Sequence, residues 1–310
     1  MRKYVLALLT VAMLMIPSVA YADVTEVAMV TVTDEDTSVL DTLSEEMFKA
    51  KNEALEKEFA EKHPELYEAL KRTVDTPYGF NMNMNVIANI DYPETEEEQI
   101  LDLRRIVAKM YMNGYINLPA EAMEMKMDID IDAGEMMQQS FNGLEIIMKD
   151  NMMYTFNPMY EMWDSESLDS SDMFDATGNP MTQQSLGMMA PVADLMTKRE
   201  TTNSTIYSLR MTGEDVQKVI DDYVGMPIYD ELITEMEASG VTFDIPKIET
   251  DYVIQDGVVR VQHAEISLNV TADGTTVRMV IAIDGEYYSY GLQKEILAPE
   301  MDLPVVEEEL

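Results

Sequence analysis

EAMEMKMDIDIDA, residues Glu121–Ala133, alternates without a break. Met123, Met125, Met127, Ile129 and Ile131 fall on one side; Glu124, Lys126, Asp128, Asp130 and Asp132 fall on the other. A period of two over this length is that of a strand with one dry and one wet face. Phe80–Asp91 repeats it, with Phe80, Met82, Met84, Val86, Ala88 and Ile90 set against Asn81, Asn83, Asn85, Asn89 and Asp91. Arg104–Leu118 carries Met110 and Met112 beside Tyr111 and Tyr115, and Pro119 ends it. Ala133-Gly134 turns the chain toward Met136–Phe141. Leu144–Lys149 and Met152–Phe156 then frame Asp150-Asn151 as a hairpin.

Before these strands, Ser38–Arg72 reads as an amphipathic helix. Leu40, Leu43, Met47, Ala50 and Ala54 recur at helical steps, and His63-Pro64 sets a bend before a second short helix. After them, residues 157–200 turn polar and acidic and hold Trp163, the only tryptophan. More than forty residues between strands is long for a plain connection, so this segment reads as a lid-like insertion or a surface loop. Within it, Ser165–Gly178 reads as loop and Thr182–Lys198 as a helix bent at Pro191. Thr202–Met211 returns to strand, and Thr212 with Asp215 approximates a capping box. Pro227 opens a further helix, Ile228–Ser239. Lys247–Gly291 reads as a meander with turns at Asp256-Gly257, Asp273-Gly274 and Asp284-Gly285, a bulge near His263-Ala264, and an aromatic edge at Tyr287, Tyr288 and Tyr290.

The first 22 residues read as a secretory signal. Arg2 and Lys3 precede the apolar run Val5–Ile16, and Ala20-Tyr21-Ala22 fits a cleavage site, so the mature chain is expected to start at Asp23. Residues 23–36 read as a flexible arm, 37–297 as one domain and 298–310 as an acidic disordered tail. No later segment approaches transmembrane length. The expected localisation is exported: periplasm, cell-wall space or outside the cell. With no cysteine the chain has no disulfide, thiolate nucleophile or cysteine metal site. A net charge of −38 repels nucleic acid and anionic membranes.

No Ser-His-Asp order with a nucleophile elbow, HExxH or glycine-rich phosphate loop occurs, so no catalytic residue, cofactor or enzyme activity is expected. The 29 methionines suit a plain core, an adaptable apolar cavity or a thioether copper(I) site. Copper has the least support: methionines two apart on a strand stand about 7 Å apart, and only His63 and His263 could assist. Asp128, Asp130 and Asp132 lack the glycine and glutamate of a calcium loop and read as a solvated face.

Tyr78-Gly-Phe-Asn-Met-Asn-Met, Met123–Asp132, Ile146–Tyr154 with Pro158 and Trp163, Tyr207–Val219 and Val277–Tyr290 follow one another in an order that resembles the LolA/LppX-like bacterial lipoprotein-carrier superfamily. The resemblance implies an α+β fold: a strongly curved antiparallel β-sheet, or half-barrel, with helices covering the concave face. It also implies a cavity that receives a lipid or acylated molecule. Candidate lining residues are Met82, Met84, Met110, Met112, Met123, Met125, Met127, Met148, Phe156 and Trp163. No metal residue is assigned. The other reading is a non-enzymatic envelope or extracellular protein with a packed core, meeting a protein partner through its acidic surface.

Overall fold

The computed structural model describes residues 53–91, 104–134, 138–167, 189–223, 240–272 and 274–299. Eleven strands in these residues form one open sheet. They are β1 (Tyr78–Asp91), β2 (Arg105–Asn117), β3 (Ala122–Asp132), β4 (Gln138–Lys149), β5 (Met152–Asn157) and β6 (Met162–Ser167) in the first half. The second half holds β7 (Met196–Glu200), β8 (Thr205–Thr212), β9 (Thr242–Gln255), β10 (Val258–Ala272) and β11 (Thr275–Tyr288). The spatial order is β6-β5-β4-β3-β2-β1-β11-β10-β9-β8-β7, with every recorded pairing antiparallel. Two meanders thus meet where the first strand pairs with the last.

Because opposed residues in an antiparallel pair share a face, the registers sort the whole sheet into two sides. One inner row runs Met196, Leu209, Thr250, Ala264, Ile283, Met84, Met110, Ile129, Phe141. The next outer row runs Thr197, Ser208, Asp251, His263, Asp284, Asn83, Tyr111, Asp128. From Met196 to Met110 the first row is buried or packs on the main core, and Ile129 and Phe141 at its far end are partly buried; the residues of the second row are polar or exposed.

Helix α1 (Pro64–Asp75) begins where His63-Pro64 interrupts the helical residues 53–62. The proline occupies the first turn, where its missing N–H is not needed. Leu66, Ala69 and Leu70 point into the core, and the helix lies against β10 and the 3₁₀ turn Leu118–Ala120. Helix α2 (Gly213–Tyr223) lies beside β8 and β9 and buries Val216. Helix α2 thus packs on β8 and β9, while α1 spans from β10 to the turn that joins β2 to β3. The fold is dominated by strand, less helical than the α+β expectation, and an open antiparallel sheet of this kind is compatible with a half-barrel.

The local chemistry explains most boundaries. Asp150 and Asn151 both take positive φ, 55° and 59°, as a two-residue type I′ turn requires. Asp256 and Gly257 do the same between β9 and β10. Asp215 accepts hydrogen bonds from the Thr212 N–H and hydroxyl, closing the reciprocal half of the expected cap at α2.

Five expectations are corrected. Asp284-Gly285 is no turn: Asp284 pairs with His263 and Asn83 in the middle of β11, and Gly285 leaves room for the Tyr287 side chain, whose hydroxyl would stand 3.2 Å from an added Cβ. The bulge expected at His263-Ala264 lies either side of it, at Arg260 in β10 and at Ile245-Pro246 in β9 opposite Leu268. A proline has no ladder donor, so a bulge suits it. Thr182–Lys198 is not one bent helix: Ala193–Leu195 is a 3₁₀ turn and Met196 starts β7, while residues 182–188 lie outside the described residues. Tyr287 and Tyr290 form no sheet edge; they pack on Tyr78 at the central pair, 5.7 and 5.5 Å between ring centroids. Met162–Ser167, part of which was read as loop, is the edge strand β6. The arm, the helix Ile228–Ser239, residues 38–52 and the tail beyond Pro299 lie outside the described residues.

Two outcomes follow. Gly114 faces Phe80 and Met125; a Cβ there would stand 2.3 Å from the Glu124 carbonyl oxygen and 2.9 Å from the Phe80 ring. Gly114→Val is expected to lower stability by about 1–3 kcal/mol, read as a lower urea midpoint. Glu65 joins α1 to the second meander through Lys198 (3.0 Å) and the Thr205 hydroxyl (2.8 Å). Burial pushes its carboxyl up, but these partners outweigh burial and hold it below the usual carboxylate range. A depressed carboxyl stabilises the fold above its unfolded pKa, about 4.3, and that contribution is lost as pH falls through the folded value. Glu65→Gln should therefore be less stable than the parent at pH 7 and equal to it near the acid limit of folding, measured as Tm against pH.

Candidate functional site

The eight candidate methionines share the inner face. Met82, Met112 and Met127 stand opposite one another on β1, β2 and β3, with Leu144 beyond them on β4. Met84 and Met110 form the next rung, and Met123, Met148 and Met153 form another on β3, β4 and β5. Between these rungs run Phe80, Gly114, Met125 and Ile146. Unbranched thioether chains on four adjacent strands thus make a continuous apolar surface whose side chains can re-pack at low cost.

That surface is covered. Met82 and Met148 are each 1% exposed, and Met84, Met112, Met123 and Met125 are also buried. Met110 and Met127 are partly buried against the same core. Met189, Ala190, Val192 and Ala193, just before β7, belong to this core too. Sequence reasoning passed them over because they sit in a segment read as lid.

Phe156 and Trp163 do not join the methionines. Phe156 pairs with Glu145, which pairs with the exposed Lys126, and Trp163 pairs with Phe156. Both therefore fall on the outer face, where their rings pack 5.3 Å apart. The sequence held the signal: a two-residue turn at Asp150-Asn151 places Phe156 opposite Glu145, a residue of the wet side. At the turn between β5 and β6, Met159, Tyr160 and Met162 are 65–70% exposed.

The two histidines are also apart from the methionine rungs. His63 Nε2 lies 2.8 Å from the Ala193 carbonyl oxygen, and its ring stands edge-on to Tyr207 at the helix junction. His263 is on the outer face, paired through Nδ1 with Asp284. Neither supplements the thioethers as a copper ligand set of mixed type would require. Asp128 and Asp132 accept backbone N–H bonds from Gly143 (2.7 Å) and Gly134 (2.9 Å), and Asp130 faces Lys109 across the ladder. Among the described residues no group of three or more His, Asp or Glu side chains is placed to hold a metal ion.

The outer face has its own features. After Tyr288 the chain doubles back: the Tyr115 hydroxyl donates to the Leu292 carbonyl and accepts the Lys294 N–H, and Ile296 is buried with Tyr115 and Ala122. Beside this strap, Asn81, Asn83, Tyr111, Val261, His263, Asp284, Gly285 and Glu286 line a depression of about 290 Å³. This depression lies across the sheet from the methionines. No described helix is long and apolar enough to cross a membrane.

Neither the family models nor the curated proteins include a match to this chain. Among solved structures, it is similar to a β-barrel-like protein of domain of unknown function DUF1849 from Brucella abortus. The identity is 6%, the match covers 69% of this chain and 99% of that one, and the TM-score is 0.23. Two mutants of a Rh. blastica porin align at 5% and 6% identity over 68% of this chain and 100% of theirs, with TM-scores of 0.14 and 0.13. At such scores the likeness decides neither the fold nor the function.

Proposed function

We propose that the protein is an exported, soluble, non-enzymatic binding protein that carries or shields a hydrophobic ligand against its methionine-rich inner face. One observation carries this reading: eight methionines from four adjacent strands fall on one side of the sheet in register. A plain core needs apolar volume, which leucine and isoleucine supply with better-defined rotamers. Methionine concentrated on one half of one face supplies adaptability, which suits acyl chains of varied length. Each methylene moved from water onto that face contributes about 0.8 kcal/mol. In this reading the sheet is the half-barrel of a LolA-like carrier, with the methionine half of its concave face as the cavity wall. The closed face is the ligand-free state. The strongly acidic surface keeps such a protein dispersed outside the cytoplasm.

A second reading rests on the burial itself. Met82 and Met148 are as inaccessible as any core residue, as in an interaction protein with a solid core.

Native mass spectrometry of the protein purified without detergent, followed by solvent extraction, separates the two. Carriage predicts a discrete added mass that extracts as lipid, and saturable uptake of a fluorescent fatty acid. Met127→Asp, at the partly buried end of the Met82–Met112–Met127 rung, should weaken that uptake by roughly tenfold or more while the variant remains folded. A bare mass with no uptake favours the solid core and sinks the carrier reading.

A further inference from the structure

The outer-face depression is made by strands from both meanders. Tyr111 comes from β2, Asn81 and Asn83 from β1, Asp284 and Glu286 from β11, and Val261 and His263 from β10. Tyr111, Asn83, Asp284 and His263 stand side by side in a single cross-strand row. Asn113, Asn81, Glu286 and Val261 form the row next to it. Gly285 lines the depression with backbone alone, since a side chain there would face the inner side, toward Tyr287. Tyr111 is 39% exposed at one side, and Tyr288, 40% exposed, follows Glu286 on the same face. The Tyr288 ring lies over Gly79, where an added Cβ would stand 2.5 Å from it.

The lining selects a ligand class by elimination. Two carboxylates and a net charge of −38 repel phosphates, sulfates and uronates. An apolar molecule would strip water from two amides, two carboxylates and an imidazole with nothing in return. A metal ion or ammonium would use only the acceptors and leave the amide N–H groups and the phenol idle. A polyol both donates and accepts: its hydroxyls match carboxylate acceptors and amide groups of either polarity, and its C–H face can rest on an exposed tyrosine ring. Asn85 continues the same face one step along β1, and its Oδ1 is buried without a hydrogen-bond partner among the described residues. The depression falls at the lower end of small-ligand sites, about 300 Å³ upward.

We propose that this depression is a binding site for an uncharged saccharide, with Asn81, Asn83, Asp284 and Glu286 bonding hydroxyls and Tyr111 stacking on a sugar ring. The site is independent of the methionine face and of whatever that face holds.

The test is an array of neutral, amino and acidic glycans probed with the fluorescently labelled protein. Four samples are compared: the parent, Tyr111→Ala, Asn83→Ala, and Tyr160→Ala at the distant hairpin tip. Each variant is first matched to the parent by urea midpoint. The proposal expects at least one neutral glycan to be retained. Its retention should fall roughly tenfold in Tyr111→Ala and Asn83→Ala and stay unchanged in Tyr160→Ala. Retention of no glycan overturns it. So does retention of acidic glycans alone, or a neutral glycan held equally by all four samples or lost equally from all three variants.

Discussion

Pairing between β1 and β11 is the constraint on which the rest depends. Thirteen residue pairs, from Gly79 with Tyr288 to Asp91 with Thr276, join the first strand to the last. Everything else in the sheet is a meander between sequence neighbours, and each meander could form its own ribbon. Only this seam makes one sheet of them, and only its register decides that Ile283 and Met84 share a side while Asp284 and Asn83 share the other. A slip of one residue here would turn Asp284 toward the core in line with Met84. The aromatic packing of Tyr78 on Tyr287 and Tyr290 sits at one end of the seam. The buried bond from the Tyr287 hydroxyl to Gln262 Oε1 (2.9 Å) ties that end to β10.

What the sequence revealed follows from the physics of alternation. Long strands with methionine or isoleucine opposite asparagine or aspartate were legible, and so were the two-residue turns at Asp150-Asn151 and Asp256-Gly257. The same residue pair at Asp284-Gly285 misled, because Asp-Gly is read locally as a turn whereas the strand around it runs on. Ile281, Ile283 and Tyr287 hold the alternation through the glycine, and three neighbouring strands outweigh one dipeptide's preference. The methionines of the candidate site were legible for the same reason as the strands. Phe156 and Trp163 were grouped with them by hydrophobicity alone, and the parity of the turn assigns them elsewhere. The short edge strands β6 and β7 were missed because their polar residues show no strand alternation, and the apolar residues before β7 fit a helical spacing instead; both strands are ordered by pairing with β5 and β8.

The two faces divide the composition between them. Methionine and branched aliphatics take the inner side, asparagine and the acids the outer, and several cations among the described residues pair with those acids. Arg210 reaches Asp251 at 2.8 Å, Lys247 reaches Glu265 at 2.9 Å, and Arg278 reaches Asp91 at 2.9 Å. These exposed pairs contribute little stability singly. Their arrangement along adjacent strands still relieves repulsion that a −38 chain would otherwise concentrate on one side of the sheet.

The strand that completes the seam is also the one synthesised last. Until Thr275–Tyr288 is present, β1 has a free ladder edge beside its methionine side, and the six strands of the first meander have no core to share with the second. Closing the seam requires contact between positions some two hundred residues apart, which places this protein among slow folders. A ribosome that stalls before residue 275 would release a chain whose exposed edge belongs to the future centre of the sheet. Such a fragment offers neighbouring copies the template that β11 was meant to fill.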